Sequence, residues 1–159
     1  MISILPELAK TDIVTVLQTS MAPAFLLVAL GGMLNIFTGR LARVIDRSRL
    51  VQKLYVETEG AEHILCVNEL RDLQLRIKYV NSAIYFSVVS AIVVCILIGL
   101  IFAMGLTSYP VLSEIVAGAF ILAVILLSAA LVQFSREVRI GIRDFMIREE
   151  YLERTDKVK

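Results

Sequence analysis

The sequence predicts an all-α integral membrane protein with three transmembrane helices extended into a cytoplasmic helical bundle. Three observations lead there. Residues 13–39 carry no Asp, Glu, Lys or Arg, and residues 79–133 carry one charge, Glu114. A membrane span needs about 20 predominantly apolar residues, and a buried soluble helix seldom runs beyond about 14. The 58% hydrophobic content and the mean hydropathy of +0.80 both exceed what a soluble domain carries. Finally, Lys and Arg gather at one set of span ends: eight in residues 38–80 and seven after span three, against Lys10 alone before span one and none in residues 107–110. Basic residues are retained on the cytoplasmic side, so the N-terminus and the short turn are expected outside and the C-terminus inside.

Element by element, residues 1–12 are expected as a short external N-terminus and 13–37 as transmembrane helix one. Beyond it Leu41, Val44, Ile45, Ser48, Val51 and Tyr55 keep helical spacing. The helix is therefore expected to continue to about Glu57, where Glu57-Thr58-Glu59-Gly60 breaks it. A second helix returns with Cys66, Leu70, Leu73, Ile77 and Val80 in steps of four and three, a short coiled-coil seam that makes 38–80 a cytoplasmic helical hairpin. Residues 82–106 form span two. After the turn Thr107-Ser108-Tyr109-Pro110, residues 111–134 form span three, with Pro110 suited to a first helical turn. Phe134, Val138, Ile142, Phe145, Glu149 and Leu152 give residues 135–159 the pattern of an amphipathic tail helix.

Several function classes lose support. A net charge of +1 without a basic tail gives no footing for nucleic acid. Cys66 and Cys95 would lie about 40 Å apart on a continuous helix, too far for a disulfide. The N-terminus lacks the basic start of a cleavable signal peptide. Glu59, Glu62, His63 and Cys66 offer at most a loose ligand cluster, better read as a polar helix start, and no metal site is expected. No phosphate-cradling glycine loop or nucleophile–base pair occurs, so no catalytic residue, enzyme activity or cofactor is expected. Mid-membrane carboxylates or His, which proton-coupled transport usually needs, are missing too, and Glu114 reads as a cap on the first turn of span three.

Three constellations remain. In span two Ser87, Ala91, Cys95, Gly99 and Ala103 place a small residue at every fourth position. Small side chains let helix backbones approach closely in lipid, and the stripe reads as a packing seam within one subunit or as the interface between subunits. In span one Asp12, Thr15, Thr19, Leu26, Met33 and Ile36, with Asn35 near the inner end, form a face running from acidic and hydroxylated to apolar. As a pore lining, its hydroxyls would hydrate an ion while Leu26, Met33 and Ile36 constrict the path. As a packing face, its hydroxyls would bond the preceding turn and Asn35 a neighbouring helix. Pro23, Gly31 and Gly32 in the same span are hinge or packing devices. Past the span, Arg40, Arg43, Asp46, Arg47 and Arg49 form a charged collar. There Asp46 is spaced to pair with Arg43 and Arg49, and the arginines attract anionic headgroups.

Pro23, then Gly31-Gly32-Met33-Leu34-Asn35, then Arg40-Leu41-Ala42-Arg43-Val44-Ile45-Asp46-Arg47-Ser48-Arg49 resemble the bacterial family known as domain of unknown function 2721. The resemblance implies a short three-span protein of the bacterial inner (cytoplasmic) membrane and carries no activity with it. Three spans hardly enclose a water path alone, so a conducting role requires a cyclic homo-oligomer. The expected function is a homo-oligomeric, channel-like protein with helix one lining an ion pathway. The alternative is a non-conducting scaffold whose cytoplasmic helices bind a partner protein. Its expected surroundings are the lipid bilayer, further copies of itself and, in the second reading, that partner.

Overall fold

The computed structural model describes the backbone of residues 5–106 and 111–148 and the side chains of residues 13–105 and 112–142. Within these residues the chain is all α: α1 (Leu5–Glu57), α2 (Ala61–Leu106) and α3 (Val111–Arg148). Each is long and apolar enough to cross a membrane, with 18-residue windows of mean hydropathy 2.0, 2.9 and 2.9. α1 begins at Leu5, earlier than the apolar run, and takes Asp12 and Pro23 into a continuous helix. It ends at Glu57, and Gly60, with φ of 70°, turns the chain into α2. A Cβ there would crowd the backbone, so glycine is what permits the reversal. α3 runs on past the apolar segment to Arg148 as the same helix. The turn at 107–110, Glu149 and Leu152 lie outside the described residues, as do the side chains of Asp12 and Phe145.

The chain divides into two compact units, one of residues 1–35 and 86–128, the other of residues 36–85 and 129–159. The first unit is apolar. Leu30, Val94 and Ala123 are fully buried, with Leu26, Leu27, Ala91, Val93, Ile98 and Leu127 packed on them. Ser90 donates through Oγ to the carbonyl of Ala123 at 2.8 Å, tying α2 to α3 with a hydrogen bond that lipid cannot replace. Ser87 Oγ is buried without a hydrogen-bond partner among the described residues. Gly105 lies against Val16, which occupies the space a Cβ would need. That contact brings α1 and α2 close within the first unit.

The second unit has a smaller apolar core and a polar one. Val44, Val51 and Leu73 are buried, with Cys66, Leu70 and Ile77 packed against them. Phe37, Val44 and Val51 are buried at intervals of seven, as are Leu73 with Val80 and Ala130 with Glu137. A seven-residue recurrence keeps one stripe of each long helix facing its neighbours.

Candidate functional site

The second unit contains a fully buried carboxylate. Glu137 sits on α3 where the seven-residue phase of Ala130 calls for a small apolar residue, and it is 0% exposed. An unpaired carboxylate there would be prohibitively costly, and two arginines answer it. Arg76 of α2 donates through Nε and Nη2 to Oε1 at 3.1 and 3.0 Å. Arg40 of α1 places Nε 3.3 Å from Oε2 as an ion pair. The approach is not aligned for a hydrogen bond, and Oε2 accepts none among the described residues.

Neighbouring packing fixes both guanidiniums. Arg40 lies over the ring of Phe134, with Cζ 5.4 Å from its centroid, in a cation–π contact. Phe134 in turn stacks on buried Phe37 with centroids 4.5 Å apart. Arg76 crosses Gly141, one turn along α3 from Glu137, where a Cβ would come within 3.1 Å of Nη2 and 3.2 Å of Cζ. Glycine at 141 thus leaves the slot through which Arg76 reaches its carboxylate.

Farther along the hairpin, Arg47 grips Oε1 of Glu69 with Nε and Nη2, both at 2.6 Å. This hydrogen bond raises the Arg47 guanidinium above its ordinary value, against the opposing pull of partial burial. The expected pairing of Asp46 with Arg43 and Arg49 does not form: among the described residues the arginine ion pairs run between helices, Arg40 and Arg76 to Glu137 and Arg47 to Glu69. Asp46 and Arg49 are exposed, where a pair along one helix gains little over hydration. At the hairpin tip His63 Nδ1 lies 3.2 Å from the Thr58 carbonyl and its ring stacks on Tyr55 at 4.3 Å. Cys66 Sγ is 3.8 Å from Thr58 Oγ1. Among the described residues no three His, Cys, Asp or Glu side chains converge as a metal site.

The structure distributes the span-one face unevenly. Leu26 packs into the core of its own chain, Met33 is half-buried, and Thr15, Thr19, Asn35 and Ile36 are exposed. Thr19 donates to the Thr15 carbonyl at 2.8 Å, the back-bond that satisfies a hydroxyl in lipid. Pro23 is buried, and Gly31 and Gly32 are exposed. In the span-two stripe Ser87 is buried and Ala91 and Ala103 are half-buried, while Cys95 and Gly99 face outward. Sequence reasoning passed over Glu137, and Arg76 entered it only in the count of basic residues. The available signal was Glu137 falling in step with Ala123 and Ala130 at intervals of seven.

A family model described as "Protein of unknown function (DUF2721)" matches residues 20–147. The chain belongs to that family. The match spans every residue of the Glu137 cluster. No curated protein and no solved structure matches the chain.

Proposed function

We propose that this DUF2721 protein works as a cyclic homo-oligomer in the membrane, with α1 lining an ion pathway. The reading rests on the outward face of α1. Ala24, Gly31, Gly32, Asn35 and Gly39 are all exposed on a single chain, and nothing lies within 4 Å of a Cβ built at Gly31, Gly32 or Gly39. Lipid chains gain little from such a surface, whereas a second helix gains close backbone contact. From another side of the same helix, Thr15 and Thr19 would carry hydroxyls to the path, and Met33 and Ile36 would narrow it. The basic ends would face the cytoplasm of a bacterial inner membrane, and no catalytic step is part of the reading.

The test is assembly together with conductance. Purified protein is expected to run as one defined multimer in detergent and to pass current in planar bilayers, with Ile36→Ser altering that current. A strict monomer, or well-inserted protein that stays silent, overturns it. Orientation is checked separately: in a chain with both native cysteines changed to Ser, Lys159→Cys is expected to resist a membrane-impermeant maleimide in intact cells.

The scaffold reading draws on a different surface. Leu50, Leu54, Val56, Ile64 and Leu65 are exposed around the hairpin tip, Val56 at 82%, and lie beyond the uncharged run. Large apolar side chains clustered in water mark protein contacts. Val56→Asp is expected to abolish co-purification of such a partner while leaving membrane insertion intact. A partner retained by Val56→Asp would count against it.

A further inference from the structure

We propose that a cavity of about 180 Å³ in the second unit, lined by Arg40, Arg43, Val44, Arg47, Leu73 and Arg76, binds a phosphate-bearing anion of about two negative charges. The inference is independent of whether the protein conducts ions.

Four of the six lining side chains are arginines, three from successive turns of α1 and one from α2. Two carboxylates answer them: Glu137 for Arg40 and Arg76, Glu69 for Arg47. Four guanidiniums against two carboxylates leave an excess of two positive charges facing one cavity, and Arg43 has no ion pair among the described residues. A phosphomonoester carries about −1.5 to −2 at neutral pH, which matches that excess.

Geometry favours the same chemistry. The known contacts occupy Nε of Arg40, and Nε with Nη2 of both Arg47 and Arg76. Each arginine therefore keeps at least one Nη group for a further acceptor. Guanidiniums suit tetrahedral oxyanions because several planar donors can surround one phosphate. Glu137, Phe134 and Gly141 already hold Arg40 and Arg76 in place, so binding sacrifices little side-chain freedom. Val44 and Leu73, 4% and 2% exposed, form the apolar floor of the cavity. Arg40 follows Phe37 by less than one turn, which puts the cavity at headgroup depth if the uncharged run spans the bilayer. The anion can therefore come from a lipid headgroup or from free phosphate.

The test uses the full chain in nanodiscs. One arm titrates inorganic phosphate into phosphatidylcholine discs by calorimetry. The other measures phosphatidic acid retained by native mass spectrometry from mixed discs. Arg43→Gln removes a wall without breaking an ion pair, and Arg49→Gln removes an exposed charge outside the cavity. Arg43→Gln is expected to weaken binding about tenfold or more, with Arg49→Gln within about twofold. Such a split in the first arm identifies a soluble phosphate ligand, and in the second a lipid. Equal losses for the two variants would reduce the effect to diffuse surface charge and overturn the proposal. So would failure of both probes to bind wild-type protein above phosphatidylcholine alone.

Discussion

Glu137 stands in the second unit with no solvent contact and two arginines arranged around it, so its removal is felt through the groups it leaves behind. Glu137→Gln strips the counter-charge from Arg40 and Arg76. Breaking a buried pair from one side costs about 3–5 kcal/mol. Unfolding by denaturant in a mild detergent is expected to show a loss of that size. The double variant with Arg76→Met is expected to recover part of it, because one stranded charge is then absent. Additive losses would mean that the two side chains do not act as a unit. Arg47 behaves differently with pH. Its guanidinium is held above the ordinary arginine value by Glu69, so its contribution is fully present below that ordinary value and fades only as pH climbs past it. Titrating Arg47 therefore adds no slope to stability through the neutral and mildly alkaline range, and a circular-dichroism melt series comparing wild type with Arg47→Gln checks this.

At the scale of elements, the turn at Gly60 and the crossing at Gly105 depend on missing side chains for different reasons. Gly60→Ala forces an L residue into the left-handed region, at about 1–2 kcal/mol. Gly105→Val instead meets Val16 of the facing helix. Overpacking of this kind costs about 1–3 kcal/mol. Thermal unfolding is expected to fall for both, with Val16→Ala restoring stability only to Gly105→Val. Much of this layout could be read beforehand. Uncharged runs announce spans, and a glycine after Glu57-Thr58-Glu59 announces a break, because both signals are local in the chain. Glu137 is not local. A carboxylate three residues past an apolar run reads as solvated, and its partner Arg76 lies 61 residues away. Spacing along one helix likewise pointed Asp46 at Arg43 and Arg49, whereas the folded hairpin offers Arg47 a carboxylate on the opposite helix.

For the molecule as a whole, the question is what covers the faces one chain leaves open. Cys95 is free and exposed on α2, in line with exposed Gly99. If this face meets its copy, a membrane-permeant oxidant applied to the Cys66→Ser chain in native membranes is expected to give a covalent dimer through Cys95. Gly99→Leu, which fills the open side of the stripe, is expected to lower the oligomer size on a sizing column. Chains that stay uncrosslinked, with Gly99→Leu unchanged in size, would leave α2 facing lipid and place any assembly on α1 alone.

The bare backbone at Gly141 also bears on other members of DUF2721. A Cβ at 141 would come within 3.1 Å of the Arg76 guanidinium, which would have to give way by a few tenths of an ångström, so the two positions should not vary independently. A relative with a bulky residue at the position of Gly141 is expected to have replaced that arginine, and with it to have lost the need for an acid at the position of Glu137. The three sites should then change together across the family, leaving a mark of the ion pair in its sequences.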